Sequence, residues 1–262
     1  MPFLEHLEEL RWRIFWSLLA IAVGTGIGIA LMFYFPVLDI LVAPIREVTG
    51  NPDLHLIYLS PADPFFVLIK LGVMVGVILA FPVVAYQIWA FLSPALEKEE
   101  KKAIVPALYL GLLLFMAGVA MGYFAALPVT LDFFRAILQE SLEANLEINA
   151  TLGFVTKMLL AFGVVFELPV VIMVLTAMGL VTPQFLRSKR RHAAVILTAL
   201  ASIITPGDVV TLTILMLIPL LALYELSIFL SARIYKRRVE REGPEPEVEP
   251  TIGPPPESVE AG

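Results

Sequence analysis

Residues 152–179 read LGFVTKMLLAFGVVFELPVVIMVLTAMG. The run is long and apolar enough to cross a bilayer, which takes roughly 20 apolar residues for a hydrocarbon core of about 30 Å. One carboxylate, Glu167, lies near its middle, and Pro169 follows two residues later and interrupts the helical hydrogen bonding. An ionisable group at that depth costs about 2.5–3.5 kcal/mol or more, so it is expected to face other protein or a water-filled cavity. Two readings stand side by side: a structural Glu hydrogen-bonded to a neighbouring helix, and a functional acid lining a cavity.

The whole chain shares this character. Of its 262 residues 59% are hydrophobic and 16% charged, and the mean hydropathy is +0.87. Soluble domains average about 45–50% apolar and 25% charged. The apolar residues come in long blocks, the pattern of an all-α integral membrane protein. There is no cysteine, which excludes disulfides and thiolate chemistry. His6, His55 and His192 are scattered and give no ligand spacing, so neither a metal nor a cofactor is expected. The formal charge of −6 resides in residues 240–262, which hold seven Glu, one Arg and six Pro. Residues 236–262 therefore read as a basic, then acidic and Pro/Glu-rich, disordered tail after a membrane domain at 1–235.

Taken in order, residues 2–13 (PFLEHLEELRWR) place Leu4, Leu7 and Leu10 on one helix face, with Ile14 continuing it. They read as a short interfacial helix, with Trp12 and Trp16 at headgroup depth. Residues 1–10 are acidic and no small-residue cleavage site follows the first apolar run, so the first span is expected to target the chain to the membrane. That span covers about 14–35. Residues 36–64, with Pro36, Pro44, Pro52, Pro61 and Pro64, read as a packed cap loop. Spans two and three cover about 65–91 and 103–126, and residues 127–151 look too polar to span. After the fourth span, residues 193–204 give a fifth of about 18 Å at 1.5 Å per residue. The turn Thr205-Pro206-Gly207-Asp208 joins it to a sixth at about 209–230. A helix that much shorter than the core thins the bilayer, extends through its polar flanks or shelters beside longer helices; the shortness serves either packing or membrane perturbation.

Lys and Arg set the expected orientation. Arg11, Arg13, Lys98, Lys101, Lys102, Arg187, Lys189, Arg190, Arg191, Arg233, Lys236, Arg237, Arg238 and Arg241 fall on one side, against Arg46 and Arg135 on the other. Lys70 and Lys157 lie just inside span ends and can snorkel. Six spans with both termini cytoplasmic follow. Gly24/Gly28, Gly72/Gly76 and Gly118/Gly122 are small-xxx-small pairs that permit close helix approach.

Enzyme signatures are missing: no phosphate-binding G-x-x-x-x-G-K-[ST] loop, no H-E-x-x-H pair and no G-x-S-x-G elbow. The chain reads as no enzyme, drawing its energy from a gradient or partner proteins. Acids on the cytoplasmic side are the available chemistry: Glu8 and Glu9 before span one, and Glu97, Glu99 and Glu100 after span two. Partly desolvated carboxylates bind guanidinium groups through paired hydrogen bonds, and only Arg offers the planar fork. The competing reading is local pairing, Glu9 with Arg13 at i,i+4 and Glu8 with Arg11 at i,i+3, with 97–102 a solvated charge run.

Read together, several stretches make the chain resemble the TatC family, the six-span subunit of the twin-arginine protein translocase. They are His6-Leu7-Glu8-Glu9-Leu10-Arg11, Ser60-Pro61-Ala62-Asp63-Pro64-Phe65-Phe66, residues 86–100 (YQIWAFLSPALEKEE), residues 161–170 (AFGVVFELPV), Thr205-Pro206-Gly207-Asp208-Val209 and Tyr224-Glu225. The resemblance covers about 1–235. It implies a glove-like, concave six-helix bundle with short fifth and sixth helices in a prokaryotic plasma (inner) membrane. Such a bundle receives the twin-arginine signal peptides of folded cargo at the cytoplasmic face. By position, Glu9 and Glu100 are the implied arginine-binding acids, with Arg11, Phe91 and Pro94 on the same surface. Glu167 is the implied polar residue of the concave face and Pro44 part of the external cap. The last two spans are the implied docking surface for TatA-like and TatB-like single-span proteins, beside further TatC copies. The resemblance also implies transport driven by the proton-motive force, and no nucleic-acid partner is expected. Two departures stand out. Glu97 and Glu99 neighbour Glu100 and can share or replace its role. Leu212 stands where the family often has a polar residue, leaving Thr205, Asp208, Thr211 and Thr213 as the partner-binding candidates.

Two rival readings make different demands. A proton-coupled small-molecule transporter using Glu167 calls for a second midplane acid or base and an internal repeat, and neither is found. A purely structural assembly scaffold binds partners without affinity for signal peptides.

Overall fold

The computed structural model describes residues 3–93, 104–137, 146–204 and 211–242. Within them the chain is helical, apart from short turns and one isolated bridge between Ile57 and Glu147. Helix α1 spans Phe3–Tyr34, α2 Val37–Thr49, α3 Asp63–Leu92 and α4 Ile104–Met121. A π-helical turn at Gly122–Ala126 leads into α5, Leu127–Ile137. Then come α6 Ile148–Val165, α7 Leu168–Ala177, α8 Pro183–Ser188, α9 Arg190–Ile204 and α10 Thr211–Glu242. Among the described residues five stretches are long and apolar enough to cross a membrane: Glu5–Tyr34, Asp63–Leu92, Pro106–Ala136, Ile148–Ala177 and Met216–Lys236. The expected fifth span is α9, whose 15 residues reach only about 22 Å.

The element boundaries correct the sequence reading in four places and bear it out in one, the helix interruption expected beside Pro169. The interfacial helix and the first span are one unbroken helix, because an amphipathic turn passes into an apolar one without losing a backbone hydrogen bond. The cap at 36–64 contains a helix, α2, which ends at Gly50 with φ 65°, a left-handed cap that glycine adopts without strain. The third span does not stop at Ala126. Pro128 has no N–H to give Phe124, the preceding turn widens so that Leu127 N–H reaches Gly122 O, and α5 carries on. The fourth span breaks at Glu167, whose N–H turns back to Val164 O, and restarts with Pro169 in the first turn of α7. Helix α10 is not short: it has 32 residues, and 236–242, expected to open the tail, continue it. Residues 243–262 lie outside the described residues.

Packing runs from helix to neighbouring helix. The most extensive pairing is α1 with α3; α3 meets α6 and α4, α4 meets α6, α7 meets α10, and α10 meets α9. Among the described residues the most extensive contacts thus run as a series with α1 near one end and α9 near the other. Leu71, Phe115, Leu127, Leu152 and Val155 are fully buried where α3, α4, α5 and α6 converge. The outer faces keep large apolar groups exposed, such as Phe15, Leu18, Val23 and Ile27 of α1, as a lipid-facing surface requires. The Ser60–Phe66 stretch builds the start of α3: buried Asp63 accepts from the N–H groups of Leu59 (3.0 Å) and Ser60 (2.8 Å).

Glycine sets the α1–α3 distance. A Cβ added at Gly24 would stand 2.6 Å from Gly76 O, and one at Gly28 2.6 Å from Gly72 O. At Gly76 it would meet the Thr25 backbone N at 2.4 Å. Backbone cannot yield as a flexible side chain does, so the helices must separate. We expect Gly76→Ala to cost about 1–3 kcal/mol by overpacking, read as a lower Tm in detergent. Gly26→Ala meets nothing within 4 Å and should be neutral or stabilising by up to about 1 kcal/mol. Equal melting of the two variants would show that the glycine contact does not set the spacing.

Candidate functional site

The α1–α3 contact carries the N-terminal turns of α1 against the last turns of α3. His6, Glu9 and Arg13, spaced three and four apart, share one face of α1; Gln87 and Phe91, four apart, share one face of α3. The His6 ring stacks on Phe91 with centroids 4.4 Å apart and planes at 16°. Glu9 Oε1 pairs with Arg13 Nη2 at 3.1 Å, and Arg13 Nη1 donates to Gln87 Oε1 at 3.0 Å. The Glu9 side chain is 24% exposed and that of Arg13 31%, so the pair is half withdrawn from water yet reachable. Of the expected site residues, Glu9 and Phe91 lie on the packed faces of α1 and α3, with His6, three residues before Glu9, on the Phe91 ring. Arg11 is exposed and, two residues on, projects about 200° around α1 from Glu9. Pro94 and Glu100 lie outside the described residues, as do Glu97 and Glu99.

Glu167 sits at the α6–α7 break and faces α4. A Cβ on Gly111 would stand 3.0 Å from its Oε2. Its Oε1 is buried and has no hydrogen-bond partner among the described residues, so the structural Glu bonded to a neighbouring helix is not what is seen. Thr156 Oγ1 is the other described side-chain oxygen that is buried without a partner.

The α7–α10–α9 side is knit by polar pairs. Thr176 Oγ1 and Ser231 Oγ are 2.8 Å apart, Tyr224 Oη donates to Leu186 O at 2.9 Å, and Arg190 Nη2 meets Glu225 Oε2 at 2.7 Å. Thr213 is buried and 3.4 Å from Ser202 across the α9–α10 contact, so it faces within the chain. Thr205 and Asp208 lie outside the described residues, as does the side chain of Thr211 at the start of α10. Among the described residues no group of three or more His, Asp or Glu could hold a metal.

Pro44 is buried inside α2. Having no N–H, it leaves the Ile40 carbonyl without its helical donor. The Tyr123 hydroxyl, from the π-helical turn, donates to that carbonyl at 2.6 Å, and Arg135 donates to Val48 O further along α2. The cap is thus fastened to the third span through the acceptor its proline frees.

Residues 5–219 match the family model described as Sec-independent protein translocase protein (TatC). The chain belongs to the TatC family. It is 42% identical over 244 residues to the TatC protein of Aquifex aeolicus, covering 92% of this chain and 98% of that one. It is 36% identical over 231 residues to the TatC of Escherichia coli K12, covering 88% of each. Among solved structures it is similar to the crystal structure of the twin-arginine translocase receptor TatC, with a TM-score of 0.73 and 42% identity, covering 87% of this chain and 99% of that one. The same receptor in DDM superposes with a TM-score of 0.75. TatC proteins are translocase components, so this chain is a transport subunit rather than an enzyme. Its family motifs acquire physical content: Asp63 ties the turn before α3, Tyr224 and Glu225 tie α10 to α8 and α9, and Gly163 packs under the Phe115 ring.

Three participants escaped the sequence reading: Gln87 and His6 at the α1–α3 site, and Tyr123 at the cap. Gln87 was discoverable from its four-residue spacing to Phe91; Tyr123 carried no local signal. Two measurements follow. Tyr123→Phe should cost about 1–3 kcal/mol, since it strands the Ile40 carbonyl, whereas in a Pro44→Ala background the cost should largely vanish. Additive effects in that double-mutant cycle would refute the link. Glu167→Leu should hold or raise Tm in detergent by removing an unpartnered buried oxygen, while transport is lost; a marked drop in Tm would assign Glu167 a structural role instead.

Proposed function

We propose that this chain is the receptor subunit of a twin-arginine translocase, binding the twin-arginine signal peptides of folded cargo at the cytoplasmic face. The observation that carries this reading is the half-buried Glu9 carboxylate on the α1 face that packs against Gln87 and Phe91. A carboxylate in that setting suits a guanidinium fork. Glu100 and Pro94, with Glu97 and Glu99 as neighbours, complete the surface by resemblance to the family, and exposed Arg11 borders it.

The apolar part of the signal peptide then lies along the concave face toward Glu167, whose open acceptor meets a polar group or water there. The distribution of Lys and Arg supports both termini cytoplasmic and six spans in a prokaryotic inner membrane, with α9 as the short fifth. Exposed Val195 and Ile196 on α9 and Ile214 and Ile218 on α10 form an apolar outer surface for TatA-like and TatB-like single-span partners. Thr205, Asp208 and Thr211 remain the polar candidates beside it, while Thr213 supports the surface from inside. Pro44 serves the external cap, and further copies of the chain join the same complex. The proton-motive force supplies the energy.

In nanodiscs, Glu9→Gln should weaken binding of an Arg-Arg signal peptide about tenfold or more, the worth of one charge-assisted hydrogen bond. Replacing Arg-Arg by Lys-Lys in the peptide should weaken binding to the unmodified protein by a similar factor. Equal binding in all arms would mean general electrostatic attraction and would overturn the receptor reading.

A further inference from the structure

Glu9 is already occupied. Its Oε1 is taken by Arg13, one turn further along α1, and the same guanidinium is held on its other Nη by Gln87 of α3. Building on the receptor reading above, we propose that Arg13 is an internal placeholder for the incoming guanidinium, and that Gln87 is the parking site that keeps Arg13 when it leaves Glu9. The geometry is suited to exchange. Arg13 engages Glu9 through a single nitrogen at 3.1 Å, with its second nitrogen committed to Gln87, so the two make no parallel pair. A guanidinium arriving from outside, free to present its fork squarely, forms two parallel bonds to the carboxylate and displaces the single one. An ammonium offers no such fork and competes with Arg13 on poorer terms. Arg13 therefore sets the threshold a ligand must exceed, making it a specificity-determining residue that acts by competition. No covalent bond changes; one ion pair is replaced by another, and Arg13 retains its bond to Gln87.

The test measures binding of fluorescent signal peptides, Arg-Arg and Lys-Lys versions, to the full chain in nanodiscs. Arg13→Gln should tighten Arg-Arg binding about two- to fivefold, the worth of a half-exposed ion pair no longer opposing it, and should narrow the Arg-Arg over Lys-Lys preference. Gln87→Leu removes the parking site without changing charge and should weaken Arg-Arg binding. Arg13→Lys keeps the charge and helical spacing and should fall between the unmodified protein and Arg13→Gln, which covers the case where Arg13→Gln lowers Tm. If Arg13→Gln weakens Arg-Arg binding as Glu9→Gln does, Arg13 positions Glu9 rather than occupying it, and the proposal fails. Unchanged binding in Arg13→Gln and Gln87→Leu also refutes it. If Glu9→Gln itself leaves binding unchanged, it is the receptor reading that has failed.

Discussion

The backbone contact between α1 and α3 is the constraint on which the rest depends. Two glycines on each helix let the chains approach until a single added Cβ would meet backbone nitrogen at 2.4 Å. In lipid there is no hydrophobic force to press helices together, and close van der Waals approach does that work instead. Because the pairing is rigid over several turns, it fixes events at its end: His6 lies flat on Phe91, and Arg13 bridges from Glu9 to Gln87. The Glu9 part of the proposed surface is thereby built on two packed helices.

The second constraint is that polar groups inside an apolar surrounding need partners. At several places where the sequence removes one, another element supplies it. Pro44 withdraws a donor and Tyr123 replaces it. Lys70, inside α3, donates to the backbone and side-chain oxygens of Asn149 in the first turn of α6, while Glu147 accepts from Asn149 N–H and Ala150 N–H at the same helix start. Thr176 and Ser231 satisfy each other. Against this background two described side-chain oxygens stand out as buried and without a partner, Thr156 Oγ1 and Glu167 Oε1. An unpaired polar atom in an apolar surrounding costs stability wherever it sits, and Glu167 differs from Thr156 in carrying an ionisable group there.

Much of this was legible in the sequence. Blocks such as 152–179 declared their spans by length alone, and the three glycine pairs fell at helix contacts. Glu9 was visible as a candidate, though spacing by itself offered its pairing with Arg13 equally well, and the structure shows that pair formed. What remained hidden was non-local. Helix α2 was read as loop because Pro44 normally breaks a helix; the compensating hydroxyl lies 83 residues from Ile40. The third span seemed to end at Ala126 because a π turn preserves continuity without any compositional mark. The helical extension to Glu242 was masked by its charge, which suits a helix in water as well as it suits a tail, and Lys236 with Glu240 makes the i,i+4 pair that helps it there.

The occupied state of Glu9 has a consequence for how the surface responds to its surroundings. A bare carboxylate that captures a cation gains an ion pair, and dissolved salt opposes the gain by screening. A carboxylate that exchanges one guanidinium for another keeps its tally of ion pairs constant, so screening acts on both sides of the equilibrium and its first-order effect cancels. Under the proposed exchange, selection at Glu9 would rest on geometry, which is insensitive to ionic strength, rather than on attraction, which is not. Under the proposed exchange, discrimination at Glu9 would stay even-handed while the long-range field around it rises and falls.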